Sequence, residues 1–279
     1  MKDVPHCYRH PGRETRVSCA ECARPICEEC MTFAPVGIKC PDHAAIGIPR
    51  TAAQPRRRQV VPVSETRPAA TIALVAVNVG VFLLTVAMGG GLANPGGEVF
   101  ERGTLVGLLV WDGEWWRLGT SVFLHAGMIH LAFNMLALWW LGSVVEQWVG
   151  SGRFLLVYLA AGLSGSAGAL LFTDPFAQTV GASGAIFGTM GALLVLEYFA
   201  TGSLAGQAMG LLAVNLVITF AIPNISKGGH LGGLVGGIVA TCAVARLRGR
   251  LAPLGLALAA GVAVVAVAVA WWRVRSYSA

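Results

Sequence analysis

Eight residues near the N-terminus are spaced as metal ligands. Cys7-xx-His10, Cys19-xx-Cys22, Cys27-xx-Cys30 and Cys40-xx-His43 each put two donors three positions apart, so both can reach one ion. Eight thiolate and imidazole donors fill two tetrahedral zinc sites and leave no position open for water, which is the pattern of structural zinc. Four pairs can be joined around two ions in three ways. A second set lies much further along the chain. Ser183 sits in Gly181-Ala182-Ser183-Gly184, His230 in Gly228-Gly229-His230-Leu231-Gly232-Gly233, and His130 and Asn134 are four residues apart. A serine hydroxyl within reach of an imidazole is the minimum for an activated nucleophile. No Asp or Glu is evident to orient His230, so the pair would act as a Ser–His dyad. His130 and Asn134 share one helix face, where two donors can meet the oxyanion of an acyl-transfer intermediate. If Ser183 begins a helix, its own N–H is free to join them. This is not the GxSxG nucleophile elbow, because Gly184 comes one place too early and no strand precedes it.

The elements that must position these residues are set by composition. The chain has 279 residues, of which 55% are hydrophobic and only 12% charged, and its mean hydropathy is +0.67. Soluble chains carry about 25% charged residues, so a soluble enzyme, a disordered tail and a coiled coil are all excluded. Uncharged apolar runs near the roughly 20 residues needed to cross a bilayer occur at 69–88, 128–145, 154–173, 181–196, 204–222, 228–245 and 251–272. The expected architecture is an all-α polytopic membrane protein with seven spans, or six if the last run only lies on the surface. Arg50, Arg56, Arg57, Arg58 and Arg67, against Glu65 alone, make the segment 44–68 a basic, proline-rich linker. Positive charge beside a span marks the cytoplasmic side, so a cell-membrane location with a cytoplasmic N-terminus is expected. No nucleic-acid motif accompanies the arginines, and no nucleic-acid partner is expected. The second, fourth and sixth spans then all run from outside to inside. His130 and Asn134, Ser183 and His230 each lie near the start of one of them and can meet in one layer in the outer part of the bilayer. Repeats of glycine at every fourth position in the sixth span, facing Gly184 and Gly188 in the fourth, allow the close helix approach this requires. A transporter is disfavoured, since no intramembrane Asp or Glu suits ion coupling.

At these residues the sequence resembles the rhomboid intramembrane serine proteases. The match runs from about Pro68 to Arg246 and consists of Trp116-Arg117, His125-xxxx-His130-xxx-Asn134, the Gly181–Gly184 segment and GGHLGG around His230. The resemblance implies a six-helix core over 69–246, with 251–272 as an additional transmembrane helix. It also implies hydrolysis of peptide bonds in transmembrane protein substrates beside the lipid bilayer, with no cofactor for catalysis. It assigns Ser183 as nucleophile, His230 as general base, and His130 and Asn134 as oxyanion donors. Residues 89–127 become a partly submerged first loop, shaped by Arg117 and Glu114. Phe187 stands where the family often has tyrosine. The alternative is a catalytically silent rhomboid-like protein that binds client segments; loss of Ser183 or His230 would be its sign, and both are present.

Residues 1–43 resemble a B-box-type zinc finger. That resemblance implies interleaved binding of two structural zinc ions, with Cys7, His10, Cys27 and Cys30 at one and Cys19, Cys22, Cys40 and His43 at the other; sequential pairing is the second choice. A disulfide framework would need an oxidising compartment, against the expected orientation. The finger's work would be binding a cytoplasmic protein partner or docking on the core.

Overall fold

The computed structural model describes residues 4–33, 37–44 and 67–278. Arg50, Arg56, Arg57 and Arg58, the body of the basic linker, lie outside the described residues. The chain divides into two compact units, residues 1–59 and 60–279.

The N-terminal unit is mostly turns. Strand β1 (Thr32–Phe33) pairs antiparallel with β2 (Ile38–Lys39), and a single helical turn follows at Pro41–Ala44. The Tyr8 hydroxyl donates to Asp42 at 2.9 Å, and Arg9 and Arg24 reach the same carboxylate at 2.7 and 3.2 Å. These contacts tie the start of the unit to its last turn. Among the described residues its buried hydrophobic side chains are five cysteines and Ile26, so apart from candidate metal ligands they offer almost no apolar core.

The second unit is all-helical. Among the described residues, six helices are long and apolar enough to cross a membrane. They are α1 (Ala69–Ala87), α2 (Met128–Val149), α3 (Ser151–Phe172), α4 (Ser183–Thr201), α6 (Lys227–Arg246) and α7 (Ala252–Arg275). Between α4 and α6 lies the shorter apolar helix α5 (Gln207–Ala221). The run at 204–222 was expected to be a full span. Its helix has 15 residues, about 22 Å at 1.5 Å per residue. Gly206 before it and Pro223 after it bound the helical stretch. Inside α2 the backbone ladder slips to a π-helical turn over Leu138–Gly142, which periodicity alone does not forecast.

The packing centres on α6, which lies against α3 and α4 through glycine. A methyl group built on Gly228 or Gly232 would overlap the carbonyl oxygen of Gly168 or Ser164 on α3. One on Gly233 or Gly237 would overlap the carbonyl oxygen of Gly184 or Gly188 on α4. Backbone therefore meets backbone, the arrangement that small residues permit within a bilayer. Outward-facing side chains such as Leu83, Phe133, Val217 and Val264 are exposed and apolar, as a lipid-facing surface requires.

Glu146 in α2 is buried and accepts four hydrogen bonds. They come from the backbone N–H groups of Ala70 and Thr71, the Thr71 hydroxyl and the Ser151 hydroxyl, at 2.6–2.9 Å. A carboxylate on the first turn of α1 satisfies N–H groups that have no intrahelical partner. Its role is structural. In the loop 89–127, Arg117 is buried; it donates to Glu114 and to the carbonyls of Glu101 and Thr104 at 2.6–2.7 Å. That fork holds the loop's short helices together.

Candidate active site and metal centres

Ser183 is the first residue of α4. The turn before it depends on Gly181, whose φ of +129° belongs to the region that glycine tolerates. A Cβ there would also lie 2.8 Å from His130 Cε1. The Gly181 N–H donates to the Ser121 carbonyl at 2.9 Å, fastening the turn to the loop after α1. His230 stands one turn into α6, whose start is capped by the Ser226 hydroxyl accepting from the Gly229 N–H at 3.1 Å.

The two side chains meet. Ser183 Oγ lies 2.9 Å from His230 Nε2, within reach for proton transfer. The buried His230 ring stacks on Phe187 with 4.0 Å between centroids and 20° between planes. Its other nitrogen, Nδ1, lies 2.7 Å from Thr219 Oγ1 on α5. His130 Nδ1 accepts the Ala126 N–H at 3.3 Å. In the neutral ring this leaves the proton on Nε2, beside Gly181. Asn134 is buried, and its Nδ2 has no protein partner among the described residues. All four side chains line one cleft of about 850 Å³. The neighbouring His125 packs edge-on to His130 at 5.2 Å. Burial, then the nearby His130, push its imidazole down to about 3, so it is a neutral packing partner. Thr219 and the Ala126 N–H had no sequence signal: one is a threonine in an apolar run, the other a backbone group.

The Rhomboid domain family model matches residues 112–247. Over 149 residues the chain is 41% identical to YdcA, a rhomboid-family protein of Bacillus subtilis, covering 50% of this chain and 74% of YdcA. The chain belongs to the rhomboid family. Rhomboid protease GluP of Bacillus subtilis is 39% identical over 193 residues, which are 68% of this chain and 37% of GluP. RHOMBOID-like protein 7 of Arabidopsis thaliana is 36% identical over 155 residues, 53% of this chain and 49% of that protein. The chain is thus a multi-pass member of an intramembrane serine protease family.

The rhomboid domain match begins at residue 112, so it leaves the N-terminal unit outside. There the eight cysteines and histidines gather in two groups: Cys7, His10, Cys27 and Cys30, and Cys19, Cys22, Cys40 and His43. Within each, the donor atoms lie within 4.8 Å of one another. A zinc tetrahedron with Zn–S of about 2.3 Å and Zn–N of about 2.0 Å has S···S edges of roughly 3.8 Å and N···S edges of roughly 3.5 Å. Cys22 and Cys40 are 3.8 Å apart, and His10 Nδ1 is 3.2, 3.4 and 3.9 Å from Cys27, Cys30 and Cys7. The donor sets fit a metal ion.

Proposed function

We propose that this rhomboid-family chain is an active intramembrane serine endopeptidase that cuts transmembrane substrates with a Ser183–His230 dyad. The observation that carries the reading is the 2.9 Å contact between Ser183 Oγ and His230 Nε2. Ser183 Oγ attacks the scissile carbonyl while His230 Nε2 takes its proton. The oxyanion is held by His130 Nε2–H, Asn134 Nδ2–H and the Ser183 N–H, a free donor at a helix start. His230 then gives its proton to the leaving amine, and a water attacks the acyl-enzyme by the same route in reverse. The unpartnered Asn134 Nδ2 supports the oxyanion role, since a buried donor without a partner is costly unless a ligand supplies one.

The wider frame is as follows. Residues 1–43 form a B-box-like finger, 44–68 the linker, 69–246 the protease core and 251–272 an additional transmembrane helix. The finger holds two structural zinc ions in the interleaved arrangement, which the two observed groups support; zinc supplies the folding energy that Ile26 alone cannot. The protein sits in the cell membrane with its N-terminus cytoplasmic, as the basic linker favours.

The test is covalent labelling with a serine-directed fluorophosphonate, with mapping of the labelled residue, alongside cleavage of a reporter transmembrane substrate in reconstituted membranes. Label at Ser183 and background cleavage by Ser183→Ala are expected. Wild-type cutting by Ser183→Ala defeats the assignment, and absence of both label and cleavage favours the silent client-binding reading.

A further inference from the structure

We propose that Thr219 is a positioning residue for the dyad: its hydroxyl holds His230 in the Nδ1–H tautomer, the one whose Nε2 can take the serine proton. The inference rests on the dyad reading above. It follows from counting protons. A threonine hydroxyl has one hydrogen to donate and lone pairs to accept with. Thr219 Oγ1 lies 2.7 Å from the carbonyl oxygen of Asn215, one turn back on α5. A carbonyl only accepts, so the hydroxyl hydrogen is spent there. Toward His230 Nδ1, also 2.7 Å away, Thr219 has only a lone pair to offer. The nitrogen must therefore donate. A neutral imidazole carries one N–H, so a proton on Nδ1 leaves Nε2 bare, and the Ser183 hydroxyl at 2.9 Å donates into it.

The result is one directed chain: Ser183 O–H to His230 Nε2, His230 Nδ1–H to Thr219 Oγ1, Thr219 O–H to the Asn215 carbonyl. Its far end is helix backbone, which cannot reverse. The opposite tautomer would set two lone pairs against each other at Thr219 and would leave Nε2 a donor to Ser183 Oγ, with no lone pair to take the serine proton. Thr219 is fully buried and His230 nearly so, and water has little access to repair such a mismatch. A threonine in a span bonding its i−4 carbonyl is ordinary. The second contact, on the one nitrogen that sets the tautomer, is what assigns the role. In triad enzymes a carboxylate orients the histidine; here a neutral hydroxyl does so.

The test uses the full chain in detergent or reconstituted membranes. Thr219→Val keeps the shape and loses the oxygen, whereas Thr219→Ser keeps the oxygen and loses a methyl. Thr219→Val should lower kcat on the reporter substrate by about 10–100-fold, within the range for positioned acid–base catalysis, and leave KM unchanged. Fluorophosphonate labelling should slow in parallel, and Thr219→Ser should restore most of both. Nitrogen-15 NMR of histidine-labelled protein, with His230 identified by its loss in His230→Ala, should show Nδ1 protonated in the wild type and a tautomer mixture in Thr219→Val. Equal impairment of Thr219→Val and Thr219→Ser would assign the effect to packing and overturn the proposal. So would a wild-type His230 protonated on Nε2 at neutral pH, a measurement that needs no variant. Cleavage surviving in Ser183→Ala would instead sink the dyad, whatever Thr219 does.

Discussion

At the scale of single residues, the site is defined by where protons and lone pairs can go. His130 is committed on one side by the Ala126 N–H, and Asn134 carries a buried amide nitrogen with no partner among the described residues. Each is expected to meet the oxyanion only as charge develops. Losing one such donor in serine hydrolases costs on the order of 10²–10³ in kcat. Asn134→Ala and His130→Ala should each weaken cleavage by about that factor, and steady-state assays on the reporter substrate would measure it. The double variant should lose less than the product, because the Ser183 N–H remains. Gly181→Ala should be as damaging as either, since the new methyl combines a strained φ with crowding of the His130 ring. Retained expression and fold in that variant, with wild-type cleavage, would show that the turn tolerates what its geometry forbids. Ser183, His230, His130 and Asn134 were legible in the sequence because they are polar exceptions in apolar runs at matched depths. Thr219 was not. Its meaning lies in a nitrogen from another helix, and a threonine that merely bonds its own backbone looks the same in sequence.

Among the elements, the helices differ in how firmly they are held. The α3, α4 and α6 trio meets through glycine backbones, whereas α5 is short, exposes apolar side chains such as Val214 and Val217, and is tied at its start by Glu197 accepting from the Gln207 and Ala208 N–H groups at 3.0 and 2.9 Å. Gly233→Ala must push α6 away from the Gly184 carbonyl, so it should reduce both thermal stability and cleavage. Gly80 and Gly210 face open space, and alanine at either should stay within about 0.5 kcal/mol of wild type. Thermal denaturation in detergent would separate the two kinds of glycine; equal effects at all three would contradict the packing account. Glu146→Gln replaces one accepting oxygen by a donor among four donors. It should destabilise by about 1–3 kcal/mol, the cost of a buried unsatisfied group. The glycine repeat made the close approach readable in advance. The length of α5 and the π turn in α2 were not, since hydropathy reports how apolar a run is and not where its hydrogen-bond ladder stops or slips.

For the whole molecule, two chemistries are segregated along one chain. The candidate metal-ligand pairs occupy the first forty-odd residues, and the four side chains that meet in the cleft all belong to the second unit. The full chain, purified without added zinc, is expected to carry two zinc ions; a reduced, folded, metal-free chain would refute this. A protein beginning at Pro68 should be metal-free and still cut the reporter substrate, and a folded but inactive truncation would make the finger part of the enzyme. That the chain is an all-helical, multi-pass membrane protein was legible from composition and its apolar runs, and the ligand grouping from a resemblance. Spacing by itself left three pairings open, because grouping depends on how the turns bring distant pairs together. The glycine contacts of α6 carry one further consequence, for the order in which the molecule comes apart. Ser183 and His230 ride on two helices whose backbones touch, so the pair cannot be pulled apart without separating closely joined helices of the bundle. Complete loss of activity on heating should therefore coincide with global melting, whereas earlier loosening of α5, which carries Thr219, should lower the rate without abolishing it.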